Sequence, residues 1–180
     1  MLDISHLKTP KAVKVTPISE YRVEIVLEPF SPGFATTLMP PIRRILLASM
    51  PGFSIVHMNV EGMIDAYSVV SGVLEDGINL GLNLRGVRLN IHHASFADLT
   101  LSKKGPCTVT AADIQSISDI EILNPDHVIA HLTEASELNM TMYAMTGTGF
   151  VPADEIDLGE EEVLGGVRLD ANFSPVIRAA

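Results

Sequence analysis

The chain predicts an α+β fold in which one domain is interrupted by a β-rich insertion. Three observations carry that reading. A short apolar helix runs into Pro51-Gly52, a long block after it is dominated by runs of alternating apolar and polar residues, and a return strand begins at Val167. A strand and helix, then a β block, then a returning strand is the order expected where one domain opens to admit another.

Tyr21–Glu28 places Tyr21, Val23, Ile25 and Leu27 on one face and Arg22, Glu24 and Glu28 on the other, which predicts a half-buried strand. Pro29 and the turn Ser31-Pro32-Gly33 end it. Pro40 and Pro41 both lack an N–H donor, and proline disfavours helix in the residue before it. The helix is therefore expected to start with Pro41 at its first position and Pro40 outside it, and to run to about Ser49. Ile42, Ile45, Leu46 and Ser49 then share a stripe, with Leu47 beside it.

Ser54–Val60 reads as a strand with Val56, Met58 and Val60 on one side, followed by a turn at Glu61-Gly62 and a short β-like run over Ala66–Val70. Leu74–Gly86 sends two signals. Ile78, Leu80, Leu82 and Leu84 alternate like a strand, yet Glu75 and Asp76 suit a helix start, Arg85 a helix end and Gly86 a C-cap. Helix is the favoured reading. Val87–Ile91, Asp98–Ser102, Ser118–Ile122, Asp126–Thr133 and Leu138–Met145 read as strands, and Gly147-Thr148-Gly149 breaks the series. Asp154–Glu162 holds six acids in nine residues and reads as a solvated loop; Val167–Asp170 starts the last strand.

A chain of 180 residues is long enough to bury roughly 70% of its unfolded surface, so it needs neither metal nor disulfide to fold. Hydrophobic residues make up 47% and aromatics 5%, so Val, Ile, Leu and Met must fill the core. Twelve basic residues against 22 acidic ones give a net charge of −10, which argues against nucleic-acid contact by this segment. Cys107 is the single cysteine, so no internal disulfide forms, and a cytoplasmic setting is expected. The first residues carry no apolar signal core, and no run approaches a membrane span.

The candidate chemistry is sparse. His127 and His131 have a spacing that binds zinc on a helix, but Val128-Ile129-Ala130 between them reads as strand, so structural roles are expected. His92-His93 point to opposite faces of any strand and read as turn or surface residues. Gly147-Thr148-Gly149 is too short for a phosphate loop, and Asp154–Glu162 lacks the spacing of a calcium loop. Cys107 has no base that the sequence places beside it. No catalytic grammar, cofactor site or metal site is expected. Arg43-Arg44 read either as a solvated helix end or as a partner contact, and they adjoin the apolar Ile42, Ile45, Leu46 stripe. Arginine forks pair well with carboxylates or carbonyls across an interface, and the stripe can pack against its own copy about a twofold axis.

An ordered series of motifs resembles the bacterial RNA polymerase alpha subunit, in its N-terminal assembly domain. The series begins with Leu27-Glu28-Pro29, Gly33-Phe34 and Arg43–Gly52, then Glu61-Gly62, Gly72-Val73 and Glu75-Asp76. It continues through Asn83-Leu84-Arg85-Gly86, Leu99-Thr100-Leu101, Val109–Ile114 and His127–Thr133, and closes with Gly149–Ala153 and Asp170–Val176. The resemblance covers nearly the whole chain.

The resemblance implies an α+β dimerisation domain built from residues 1–51 and 168–180, incomplete at its C-terminal end, interrupted by a β-rich insert over residues 52–167. It implies a scaffold in transcription that dimerises with an identical or different alpha chain and recruits the beta and beta-prime subunits. The nucleotidyltransferase chemistry then belongs to the large subunits, and this chain is non-catalytic. It places Arg43, Arg44, Leu47 and Arg85 at large-subunit contacts, and Ile42, Ile45, Leu46 and Ser49 at the dimer interface. Three departures stand out. Met39-Pro40-Pro41-Ile42 replaces the family's usual Gly-Asn-Ala-Leu. The family's long dimer-packing helix and its DNA-binding domain fall beyond Ala180. Thr146-Gly147-Thr148-Gly149 lacks the basic residue common between those glycines. A divergent or truncated alpha copy that pairs or competes with a standard alpha is the alternative, and a β-rich interaction module unrelated to transcription is a further one.

Overall fold

A computed structural model describes residues 12–116, 119–133, 136–158 and 166–180. The chain divides into two compact units, residues 1–45 with Ala180, and residues 46–179.

The first unit holds a hairpin of β1 (Ala12–Ser19) and β2 (Arg22–Glu28), then most of α1 (Phe34–Ala48). The hairpin register sets Val13 opposite Leu27, Val15 opposite Ile25 and Pro17 opposite Val23, so these apolar residues share one face. β2 confirms the alternation expected for Tyr21–Glu28, but it is not half-buried: Val23 and Ile25 stand exposed and Leu27 is half-buried. A two-stranded ribbon has no second layer of its own. β1 carried no clear signal, because Pro17 interrupts its pattern.

α1 corrects the expected helix start. It begins at Phe34 and runs through both Pro40 and Pro41. Proline's fixed φ is itself helical, so the ring position is compatible with the helix. The cost is two missing N–H donors in the middle of the element rather than at its free end. Phe34 N–H donates to the Ser31 carbonyl at 3.1 Å, and Thr37 N–H to the Gly33 carbonyl at 3.4 Å, so the turn ahead of the prolines is tethered without them.

The second unit is centred on a five-stranded sheet. β3 (Pro51–Val60) lies beside the long β10 (Glu137–Thr148), which pairs on its other side with β5 (Phe96–Lys104). β7 (Gln115–Ser116) and β12 (Val167–Arg168) complete the order β12-β3-β10-β5-β7. Three short antiparallel pairs accompany it: β4 (Leu89–Ile91) with β8 (Ile120–Ile122), β6 (Cys107–Thr110) with β9 (Val128–Leu132), and β11 (Phe150–Val151) with β13 (Ala171–Asn172).

One face of the sheet carries the main core, where Ile55, Met58, Val60, Leu99, Leu101, Leu138, Met140 and Met142 meet Leu80 and Leu84 of α2 (Gly77–Arg85). Val56 corrects the expected face. The register steps from Tyr143↔His57 to Ala144↔Ile55, so Val56 is the extra residue of a β-bulge. Ile55 therefore joins Met58 and Val60, while Val56 turns to a second cluster with Tyr143, Ile156, Ala171 and Phe173.

The ambiguous stretch before Gly86 is helical as favoured. Asp76 is its N-cap, accepting from the Asn79 N–H at 2.8 Å. Leu80 and Leu84, four apart, are both fully buried, and that helical spacing outweighs the apparent alternation. Gly86 is the C-cap in right-handed conformation. What excludes a side chain there is His127, whose ring lies 2.6 Å from where a Cβ would stand.

Three further expectations change. Ala66–Val70 is a turn rather than a strand: Asp65 accepts from Tyr67 N–H and Ser68 Oγ, leaving a lone bridge between Val69 and Asp76. Gly147 does not break the series; β10 runs on to Thr148, with the Phe173 ring lying against Gly147. The acidic loop is partly anchored, since Ile156 is buried in the second cluster. Ser118 and residues 159–162 of two expected segments lie outside the described residues.

Candidate interaction surface

The residues expected to meet partners fall in both units. Ile42, Arg43, Arg44 and Ile45 belong to the first, and Leu46, Leu47, Ser49 and Arg85 to the second. Arg43 and Arg44 are exposed on α1. Ile42 and Ile45, three apart, share a helical face, and Ile45 is 57% exposed. Leu46 and Leu47 are half-buried and Ser49 is exposed. No residue of α1 is buried within this chain.

Arg85 is not free. Its Nη1 lies 3.6 Å from Oδ2 of Asp170, and the two side chains are 38% and 48% exposed. Asp170 Oδ1 accepts the Ala153 N–H at 3.0 Å. Sequence reasoning placed Asp170 in a motif but missed the pairing, which joins residues far apart in the chain.

A second surface was missed. On α2, Ile78 and Leu82 face outward while Leu80 and Leu84 face in. The turn before the helix leans on its start: Gly77 N–H donates to the Ser68 carbonyl at 3.1 Å, and the turn exposes Ile64 and Tyr67. The sequence signal was the apolar pair Ile78 and Leu82, spaced four apart.

The histidines have individual anchors. His127 Nε2 donates to the Asn83 carbonyl at 2.8 Å, so Nε2 carries a proton. His131 N–H and Nδ1 both meet the Glu75 carboxylate, at 2.8 and 2.7 Å. Burial raises the Glu75 pKa, but the bonds from the His131 ring and main chain outweigh it and hold the carboxyl below its ordinary value of 4.5. Asp113 behaves alike. Burial opposes its charge, while Lys103 Nζ and the Thr110 N–H lower its pKa. Lys103 is raised in turn, chiefly by its bond to Asp113. His92 faces Glu121 at 3.6 Å, and His93 sits in a turn with φ of 64°. Cys107 Sγ is 3.4 Å from the Lys104 carbonyl. Among the described residues, no group of three His, Cys, Asp or Glu side chains is placed to hold a metal, and no helix is long and apolar enough to cross a membrane.

These features define a sheet-centred α+β domain with uncovered apolar and arginine-bearing surface. Residues 56–174 match the family model described as the RNA polymerase Rpb3/RpoA insert domain. The chain belongs to that family and is an RNA polymerase alpha-like domain. Its role is that of a subunit of DNA-directed RNA polymerase in transcription, in association with other polymerase subunits. Membership removes the alternative of a module unrelated to transcription.

Proposed function

We propose that this chain is a non-catalytic, cytoplasmic assembly scaffold of RNA polymerase that dimerises and recruits the beta and beta-prime subunits. The observation that carries the reading is α1: a 15-residue helix with an apolar stripe, none of which is buried in its own chain. An uncovered apolar helix beside two exposed arginines is the composition of a protein interface. In this reading Ile42, Ile45, Leu46 and Ser49 meet the second alpha chain, and Arg43, Arg44, Leu47 and Arg85 meet the large subunits. Residues 1–51 and 168–180 form the dimerisation part, and residues 52–167 the insert.

A second reading is favoured by Pro40 and Pro41 inside α1. They weaken the helix that self-association uses, which suits a divergent copy that pairs with, or competes with, a standard alpha. Co-expression with tagged beta and a standard alpha, followed by pull-down and mass analysis, tests both. A complex with two copies of this chain and beta supports the first reading. A complex with one copy and one standard alpha supports the second. A folded chain that stays alone defeats both.

A further inference from the structure

Gly81 brings two distant parts of the second unit together. A Cβ there would stand 2.8 Å from Leu169 Cδ2, so the Leu169 side chain lies directly against the helix at Gly81. Leu169 is itself held by its N–H bond to the Val56 carbonyl at 2.8 Å. The next residue, Asp170, thereby comes alongside Arg85, one helical turn beyond Gly81. Asp170 cannot swing freely, because Oδ1 accepts the Ala153 N–H. That bond leaves Oδ2 to face the guanidinium. At 3.6 Å the pair is a loose, one-point contact, and among the described residues it leaves most of the five N–H donors of Arg85 available. The neighbouring Arg88 donates from Nη1 to the Arg85 carbonyl at 3.5 Å, at the end of α2 where helix carbonyls concentrate partial negative charge.

We infer that Asp170 is a specificity-determining neighbour of Arg85: it offsets the guanidinium charge, so the partner group received there is a neutral hydrogen-bond acceptor, a main-chain carbonyl or side-chain amide, and not a carboxylate. The inference rests on the reading that Arg85 touches a large subunit. A carboxylate arriving at Arg85 meets the fixed Asp170 carboxylate and is repelled by it. A carbonyl suffers no such repulsion.

The test uses the full chain and the purified large polymerase subunits, with binding measured from low to high salt for wild type, Arg85→Gln and Asp170→Asn. Asparagine keeps the acceptor for Ala153, and circular dichroism checks that both variants fold. The expected result is that Arg85→Gln weakens binding on the order of tenfold without changing its salt dependence. Asp170→Asn is expected to leave binding unchanged, because a neutral acceptor meets no repulsion from the Asp170 carboxylate in the first place. If Arg85→Gln flattens the salt dependence, or Asp170→Asn tightens binding, the partner group is an acid and the inference is overturned while Arg85 remains a contact. If Arg85→Gln leaves binding unchanged, Arg85 is not a contact and the reading beneath the inference fails as well.

Discussion

His127 Nε2 and the Asn83 carbonyl lie 2.8 Å apart, joining the turn before β9 to the last turn of α2. Asn83 makes a second tie, donating from Nδ2 to the Ile129 carbonyl at 2.8 Å. Together they fasten the helix to the strand beside the buried Leu84. Gly86 makes the approach possible, because any Cβ would collide with the imidazole. Gly86→Ala is therefore expected to displace His127 and destabilise the domain by about 1–3 kcal/mol. A urea midpoint equal to wild type would show that the ring moves aside at no cost.

The Glu75–His131 pair gives a pH prediction. The folded-state pKa of Glu75 is depressed. Its contribution is thus present above the unfolded value and lost as pH falls through the folded one. Glu75→Gln is expected to lower stability at neutral pH and to reduce the further loss that wild type suffers in acid, below the ordinary glutamate range. Urea unfolding of both proteins across that range checks it; parallel curves would contradict the assignment.

Leu99 and Ile78 separate core from surface. Leu99 is fully buried on β5 in the main core, whereas Ile78 is exposed on α2. Leu99→Ala is expected to cost about 2–5 kcal/mol, and Ile78→Ala to stay within about 0.5 kcal/mol. Thermal melts of the two variants check the contrast.

Arg44→Ala should weaken association with beta while leaving the fold intact. Co-purification with beta, with circular dichroism as the control, is the measurement. Undiminished recovery of beta would count against Arg44 as a contact.

Pro40→Asn with Pro41→Ala restores two N–H donors to α1. Helix content is expected to rise, since each interior proline costs about 3 kcal/mol relative to alanine, and self-association should strengthen with it. Circular dichroism and sedimentation without gain would refute the link between the prolines and weak pairing.

Much of the second unit was readable because its signals are local. Asp76 and Gly86 bracket α2, and the runs of β5, β9 and β10 keep their apolar spacing in the sequence. What escaped depended on partners elsewhere. The Val56 bulge exists only against Tyr143 and Ala144. The burial of β2 cannot be judged from its alternation, which records a face and not what covers it. The proline pair misled because the rule about helix starts says where proline is cheapest, not where a helix will tolerate it. On the candidate surface, Arg43 and Arg44 were visible as a pair. Asp170 was not visible as Arg85's neighbour, because the two lie far apart in the sequence and meet only where the segment holding Leu169 returns past α2.

No described residue from position 13 to position 45 is buried. Under the proposed scaffold reading, association supplies the interior that these described residues lack, and the folding of the segment becomes a second-order process. Its melting midpoint should climb with protein concentration, as for any fold completed by a partner. In a cell, chains made in excess of their partners would keep this segment open to proteases. The level of the protein would then follow the supply of its partners, and matched stoichiometry would need no dedicated regulator.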